Sequence, residues 1–291
     1  MISLIICSRF PENLATVKEN IAATIGVPHE IIAIDNSQGQ YGICQAYNLG
    51  ASQAQYSLLC FLHEDLLIRT TDWGQVVVSA LADPSIGVLG VAGTTLLLNA
   101  PAAWWWSGNA YSRMQIQHSL PGKPGSLDYH NPQNELLADV VVADGVWLCS
   151  RKEVWQQFPF DEKNFREFHF YDLDYCVRIF SQLRVCITFD IVIEHFSLGS
   201  INEAWLRNAL IFHRCWQKQL PISIAPVAKK ENNKLERRAL GQFLHFLERV
   251  PFSTSTRLNY LQQMIANRPA AHLTYSSRWL VSKLLPKSLK T

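Results

Sequence analysis

The sequence predicts an α/β protein with a mostly parallel central sheet flanked by helices, followed by a helical C-terminal extension. Apolar runs of strand length alternate with helical patterns over the first hundred residues, which is typical of doubly wound sheets. The first two runs, 2–7 and 30–34, are rich in β-branched residues, as expected of strands buried on both faces. Each run ends in polar residues. We therefore expect polar groups along one edge of the sheet.

The predicted elements follow in regular order. Ser8 and Arg9 come directly after the first strand, and Asp35 comes directly after the second. Further predicted elements are helices up to about residue 25, at 43–53 and at 73–81, and strands at 58–62 and 86–91. Because ligands bind outside the carboxyl ends of the strands in open α/β sheets, these polar residues are candidates for a binding site.

The third strand ends in His63, Glu64 and Asp65. Two acids and an imidazole at a sheet edge could hold a divalent cation, and the cation could hold a phosphate. Alternatively, these residues are a strand end that exposes charges to water. Neither a GxGxxG nor a GxxxxGK[ST] motif follows the first strand, so no dinucleotide fold or P-loop is indicated. A phosphate bound here would depend on a cation, and therefore on Asp65.

An irregular insertion is expected between residues 94 and 138, which are rich in Gly, Pro, Ser and Asn. Loops of this length in compact domains are often functional. The insertion contains Trp104, Trp105 and Trp106, which cannot all face one core. One tryptophan could pack on a sugar or a lipid, or the three could cover the edge of the sheet.

Later polar groups have both structural and functional interpretations. Asp144 and Gly145 interrupt an apolar run, which indicates a bulge or a close approach of a ligand to the backbone. Asp174 and Arg178 have the i, i+4 spacing of a helical ion pair. Asp172 has no such partner, so it could compensate the helix dipole or act as a general base.

Two expectations concern the residues around this acid. Phe168, Tyr171 and Tyr175 have helical spacing and are expected to face the core. His195 follows a last strand predicted at 185–193 and precedes a Ser/Gly turn. His195 could be a structural histidine, or its neutral imidazole could ligate a transition metal.

The composition limits the classes of function and the compartment. A net charge of +2 gives no support for nucleic-acid binding. Seven irregularly spaced cysteines without a CxxC pair are expected to be unpaired in a reducing compartment. We expect a cytoplasmic protein, since the N-terminus lacks a basic leader and no apolar run reaches membrane-spanning length. The basic amphipathic tail at 278–287 could contact the inner face of a membrane or pack on the domain.

These segments together resemble a GT-A fold glycosyltransferase of the family 2 type, in the branch named after a streptomycin-biosynthesis protein. The segments that carry the resemblance are 35–37, 46–50, 61–65, 144–146, 168–174 and 195–197. The resemblance covers roughly residues 1–220, which are expected to form a GT-A domain. Residues 221–291 are expected to form a helical extension.

The resemblance implies a nucleotide pocket lined by Cys7, Ser8, Arg9, Asp35 and Asn48. In such a pocket Asp35 would read the base of the nucleotide. The donor would be a nucleoside diphosphate sugar of the UDP, GDP or dTDP type.

The resemblance also implies a metal site for Mn²⁺ or Mg²⁺ at the position of the family's DxD motif. His63, Asp65 and His195 would be the metal ligands, with Asp65 also binding the diphosphate and Glu64 contributing to the nucleotide site. The first acid of the DxD motif is replaced here by His63, so the choice of metal stays open.

The catalytic base implied by the resemblance is Asp172, which matches the aspartate of the family's ED motif. Tyr171 stands in place of the glutamate of that motif and leaves Asp172 as the only well-placed base. Asp144, Gly145, Trp104 and Tyr171 are candidates for contact with the donor or acceptor sugar.

The resemblance thus implies an inverting, metal-dependent glycosyltransferase with a glycan, lipid-linked or small-molecule acceptor. The cation would neutralise the departing diphosphate, and a base would deprotonate the acceptor hydroxyl. One alternative is a non-catalytic member of the fold that binds a nucleotide sugar or a protein partner. A second is a nucleotidyltransferase, although Ser8 and Arg9 do not begin the Gly-rich first loop that this class usually has.

Overall fold

The computed structural model describes residues 1–120, 122, 125–197, 199, 201–249 and 254–267. The strands are β1 Ile2–Ser8, β2 His29–Asp35, β3 Leu58–Leu62, β4 Leu66–Ile68, β5 Ile86–Gly90, β6 Ala92–Thr94, β7 Leu96–Leu97, β8 Ser112–His118, β9 Ser126–His130, β10 Leu137–Val140, β11 Val142–Ala143, β12 Trp147–Arg151, β13 Arg184–Thr188, β14 Ile193–His195 and β15 Ile222–Ser223. The helices are α1 Pro11–Thr24, α2 Ile43–Gln53, α3 Trp73–Leu81, α4 Lys152–Gln157, α5 Tyr171–Phe180, α6 Glu203–Trp216, α7 Lys229–Arg249 and α8 Thr254–Asn267, with a short 3₁₀ helix at Trp104–Ser107.

The central sheet has seven strands in the order β10-β13-β5-β12-β3-β1-β2. β1 pairs in parallel with both β2 and β3, as the alternation of strands and helices predicts. Beyond β3 the sheet is mixed, because β12 runs antiparallel to its neighbours β3 and β5. The α/β class is confirmed, and parallel pairs join β1 to β2 and β3 and also β13 to β5.

A second sheet of six strands has the order β11-β6-β8-β14-β4, with β9 paired to β8. β8 and β9 form an antiparallel hairpin within the segment that we expected to be irregular, so that expectation was wrong. The expected strand at 185–193 is also divided, into β13 in the central sheet and β14 in the second sheet. His195, at the end of β14, is therefore supplied by the second sheet and not by the central sheet.

An aromatic cluster fills the core beneath the carboxyl edge of the central sheet. Phe160 lies at its centre, with ring centroids 4.3 Å from Tyr175 and 4.9 Å from Phe61, and Tyr47 lies 5.2 Å from Phe61. All four side chains are fully buried, and burying each such ring contributes about 1.5–3 kcal/mol. α2, β3 and α5, which supply three of these rings, are thereby fixed against one another.

The C-terminal helices pack on the rest of the chain. The Phe246 ring of α7 stacks on Trp106 of the 3₁₀ helix, with 5.7 Å between centroids. Glu236 of α7 accepts hydrogen bonds from the backbone N–H groups of Asn99 and Ala100 at 2.6 and 2.8 Å. A domain boundary at residue 220 remains a prediction, and α7 braces the segment that carries the three tryptophans.

The cysteines and the helices bear on the expected compartment and membrane contact. All seven cysteines are free, as their irregular spacing predicts. Over the part of the chain that the structure describes, every helix is too short or too polar to cross a membrane. The basic stretch at 278–287 lies outside the described residues, so its contact with a membrane remains a prediction.

Gly93 tests the close packing of β6 against β11. A Cβ atom at this position would collide with the carbonyl oxygen of Val142 in the neighbouring strand. We expect Gly93→Ala to lower the free energy of unfolding by about 1–3 kcal/mol, because the two strands must separate. Urea denaturation measures this change.

Gly125→Ala is the matched control, since the nearest atom to its added Cβ would be the side-chain Oγ of Ser119 at 3.1 Å. Equal stability of Gly93→Ala and the wild type would contradict the close approach.

Candidate active site

The turn after β1 is held by the carboxylate of Glu64. Ser8 Oγ donates to Glu64 Oε2 at 2.7 Å, and the backbone N–H groups of Arg9 and Phe10 donate to Oε1 at 3.0 and 3.2 Å. Glu64 thereby ties the end of β3 to the end of β1. Within the triplet after β3, Glu64 supports the loop, whereas His63 and Asp65 face other polar groups.

A cavity of about 970 Å³ opens above this edge of the sheet. Most of the residues predicted from the sequence line it, namely Cys7, Arg9, His63, Glu64, Asp65, Trp104, Asp144, Gly145, Tyr171, Asp172 and His195. The structure therefore brings together residues from the first, second and last thirds of the expected GT-A domain.

Three residues predicted for the nucleotide pocket are not part of the cavity lining. The Ser8 hydroxyl is engaged by Glu64. Asp35 is exposed at the end of β2, where it is the register partner of Ser8 and accepts a hydrogen bond from Ser37 N–H at 2.9 Å. Asn36, directly after Asp35, does line the cavity, so Asp35 lies next to the cavity wall.

Asn48 has a structural environment. Its amide group donates to the carbonyl of Phe160 at 2.9 Å, and its oxygen accepts from Trp155 Nε1 at 2.9 Å and from the backbone N–H of Phe160 at 3.0 Å. Asn48 fixes the segment after α4 against α2, and we leave it out of the proposed nucleotide site.

His63, Asp65 and His195 form a cluster with the geometry of a metal site. One ligand atom from each residue lies within 4.8 Å of the others. His195 Nε2 is 3.3 Å from Asp65 Oδ1, and His63 Nδ1 is 3.9 Å from the same oxygen. Two imidazoles and a carboxylate are suitable ligands for a divalent transition metal. The residues present thus fit the divalent cation that the sequence implied.

The protonation states of this cluster also suit a cation. Burial lowers the pKa of His63 to about 4, with a further contribution from the charge of His195. His63 is therefore neutral at physiological pH and can offer a lone pair. Burial alone would raise the pKa of Asp65, but the hydrogen bond from His195 and the charges of both histidines hold it below its usual range.

Tyr171 connects the metal-type cluster to the backbone at Gly145. Its hydroxyl donates to the carbonyl of Gly145 at 3.1 Å and lies 3.2 Å from His63 Nε2. When the single hydroxyl proton is directed to Gly145, His63 Nε2 donates the second hydrogen bond. The lone pair of His63 is then on Nδ1, the nitrogen that faces Asp65.

Asp172 is buried in the cavity wall at the start of α5 and accepts a hydrogen bond from Gly145 N–H at 2.8 Å. Burial, and next the negative charge of Asp144, raise the pKa of Asp172 to about 7. A carboxyl with this pKa can take up and release a proton near neutral pH. A side chain at position 145 would collide with the Tyr171 hydroxyl, so only glycine permits this contact.

The three adjacent tryptophans have different environments. Trp104 is buried and donates from Nε1 to Asp144 Oδ2 at 2.7 Å, while Trp106 is buried against α7. Trp105 is 43% exposed and lines the cavity. Trp104 was predicted to contact a sugar. In the structure it lines the cavity, and its hydrogen bond orients Asp144.

The expectation that Phe168 faces the core was wrong. Phe168 is 49% exposed and lines the cavity, with its ring 5.1 Å from that of His63. α5 begins only at Tyr171, so helical spacing does not apply to Phe168. Tyr171 and Tyr175 are buried as expected, and Asp174 forms its predicted pair with Arg178 at 2.8 Å.

The sequence reasoning also missed the hairpin wall of the cavity. Met114, Ile116 and His118 of β8 line the cavity together with Asp128 and His130 of β9. Apolar and polar residues alternate along β8 from Arg113 to Gln117, and this period of two is the signal that predicts a strand.

A sheet with a metal-type cluster and a buried acid at one edge is the arrangement of a GT-A glycosyltransferase. The family described as glycosyltransferase-like matches residues 3–215. The chain belongs to this family.

Solved structures of glycosyltransferases have the same fold at low sequence identity. GalNAc-T7 with UDP, GalNAc and Mn²⁺ is 9% identical with a TM-score of 0.50; the similarity covers 86% of this chain and 58% of that chain. Residues 1–349 of S. aureus TarS in complex with UDP are 11% identical with a TM-score of 0.52, over 92% of this chain and 81% of that chain. Identities this low show the fold alone. No curated protein matches the sequence.

The raised pKa of Asp172 predicts a pH-dependent stability. Between about pH 4, the ordinary range of a carboxyl, and about pH 7, folded Asp172 keeps a proton that the unfolded chain releases. Stability therefore falls as the pH rises through this interval. We expect the wild type to lose about 2 kcal/mol more than Asp172→Asn between pH 5 and pH 8, measured by urea denaturation.

Asp190→Asn, which changes an exposed aspartate, is the control and should lose as much stability as the wild type. An unchanged pH dependence in Asp172→Asn would show that Asp172 is not the buried proton acceptor.

Proposed function

We propose that the protein transfers a sugar from a nucleoside diphosphate sugar to an acceptor hydroxyl, with inversion at the anomeric carbon. The observation that carries this proposal is the pairing, in one cavity, of a metal-type cluster with a buried carboxyl whose pKa is about 7. A group-transfer reaction with a diphosphate leaving group needs both charge neutralisation and a base.

The metal end of the cavity would receive the diphosphate. His63, Asp65 and His195 would hold Mn²⁺ or Mg²⁺, and a bound cation would supply Lewis-acid stabilisation of the diphosphate. Arg9, which lines the same cavity and belongs to the turn held by Glu64, adds a positive charge on this side. We place the nucleotide along Cys7, Arg9 and the loop after β2, with its nucleobase next to Asp35.

The acid end of the cavity would receive the acceptor. The carboxylate of Asp172 would take the proton from the acceptor hydroxyl. The acceptor oxygen would attack the anomeric carbon as the bond from that carbon to the diphosphate breaks. Gly145 N–H holds the carboxylate in place at 2.8 Å, and burial, followed by the charge of Asp144, keeps the pKa of Asp172 raised. A base on the side opposite the leaving group leads to a single displacement, and therefore to inversion.

The class of reaction is tested by incubation with UDP-, GDP- and dTDP-sugars and Mn²⁺, followed by assay for free nucleoside diphosphate. UDP-sugars come first, because both of the compared structures contain UDP. Pyrophosphate release would identify a nucleotidyltransferase instead. Binding without any release would favour a non-catalytic member of the fold, such as one that uses the cavity only to hold a nucleotide sugar.

Asp172→Asn tests the base. We expect transfer to fall by about 10²–10⁴-fold, because the amide cannot accept the proton. Wild-type transfer should rise with pH through about 7, as Asp172 loses its proton. Steady-state rates measure both effects.

The affinity of Asp172→Asn for the donor, measured by calorimetry, should equal that of the wild type. Full transfer activity in this variant would remove Asp172 from the role of base.

Asp65→Asn tests the metal site. Replacing the only carboxylate of the cluster should weaken Mn²⁺ binding by about tenfold or more, because a charged ligand is lost. Titration of free Mn²⁺ by electron paramagnetic resonance measures this directly and does not depend on turnover.

Asp128→Asn is the matched control, since Asp128 is an exposed carboxylate in the same cavity. If the two variants bind Mn²⁺ equally well, the cation is held elsewhere.

A further inference from the structure

We propose that Trp105 is the platform of an acceptor site for a neutral saccharide, a proposal that rests on the proposed transferase function. Trp105 differs from its neighbours, because Trp104 and Trp106 are buried while Trp105 is 43% exposed and lines the cavity. An indole face presented to a cavity provides a surface that packs on the C–H groups of a pyranose ring.

The position of Trp105 relative to the base is set by a short chain of contacts. Its ring lies 5.5 Å from that of Trp104, and Trp104 Nε1 donates to Asp144 at 2.7 Å. Asp144 is followed by Gly145, whose N–H donates to Asp172. Trp105 is thus connected to Asp172, the proposed base, through the Trp104 ring and the turn at Asp144 and Gly145.

Two further exposed aromatic rings line the cavity among the described residues, those of Phe10 and Phe168. Phe10 lies in the turn after β1 that Glu64 holds, and Phe168 packs 5.1 Å from His63, beside the cluster that would hold the diphosphate. Trp105 instead contacts Trp104, which binds Asp144. These contacts assign Trp105 to the acceptor.

The charges near Trp105 select the class of acceptor. Asp144 and Asp172 are connected to Trp105 through Trp104 and Gly145, while Asp128 of the hairpin wall faces His118 at 3.6 Å. Carboxylates repel phosphate, sulfate and uronate groups but accept hydrogen bonds from sugar hydroxyls. A neutral saccharide fits this end of the cavity, whereas an anionic acceptor does not.

The platform is also held rigidly, as a binding surface requires. Glu236 of α7 binds the backbone of Asn99 and Ala100 just before the tryptophans, and Phe246 stacks on Trp106 directly after Trp105. Anchors on both sides fix the backbone of the exposed ring, which lowers the entropy lost when a sugar binds.

Saturation-transfer NMR of the full chain with UDP and Mn²⁺ tests this site without turnover. The probes are the methyl glycosides of glucose, galactose, mannose and N-acetylglucosamine, with methyl glucuronide as the anionic comparison. We expect at least one neutral glycoside to bind, and to bind more tightly than the glucuronide. Trp105→Ala should weaken that binding by about tenfold, and Trp105→Phe should retain most of it.

Tyr129→Ala is the matched control, because Tyr129 is an exposed ring of the hairpin that packs on Phe189 and is not part of the cavity lining. It should bind glycosides like the wild type. Unchanged binding in Trp105→Ala, stronger binding of the glucuronide, or no binding of any neutral glycoside would overturn the proposal.

Donor cleavage separates this proposal from the proposed function. Hydrolysis of the nucleotide sugar by the wild type in the absence of acceptor reports on the donor reaction independently of glycoside binding. If the neutral glycosides bind through Trp105 but no nucleotide sugar is cleaved, the saccharide site stands and the transferase function falls.

Discussion

The contact between the backbone of Gly145 and the first two residues of α5 determines the geometry of the site. The N–H of Gly145 donates to Asp172, and its carbonyl accepts from Tyr171. One peptide segment thus fixes both Asp172, the proposed base, and Tyr171, a partner of the metal-type cluster. The contact needs a residue without a side chain at position 145, and it needs α5 to start at Tyr171. The metal end and the acid end of the cavity are therefore both positioned by the backbone of Gly145.

The elements around this contact are held by groups that are far apart in the sequence. Glu64 closes the turn after β1, and Asn48 holds the segment after α4, in each case by several hydrogen bonds to backbone atoms. Buried or half-buried polar groups that are satisfied in this way specify one arrangement of the loops. The aromatic cluster around Phe160 supplies the apolar counterpart below. The residues that line the cavity are therefore supported by a frame of satisfied hydrogen bonds and packed rings.

The sequence predicted those features that depend on local pattern. The parallel β1, β2 and β3 strands follow from buried apolar runs alternating with helices, and the meeting of His63 and Asp65 with Asp172 follows from motif resemblance. Features that depend on distant partners were not predictable from local pattern. Glu64 finds its donors more than fifty residues earlier in the chain, and Asn48 finds Phe160 more than a hundred residues later. The position of Phe168 was not predicted, because helical spacing was extended to it although α5 begins only at Tyr171.

The neutral His63 changes the charge balance of the metal end. A divalent cation held by Asp65 and two neutral imidazoles would keep one unit of positive charge, whereas two carboxylates in the same place would cancel its charge entirely. A cation site that keeps a net positive charge attracts a diphosphate more strongly than a neutral one. The departing nucleoside diphosphate would then be held tightly after the sugar has left.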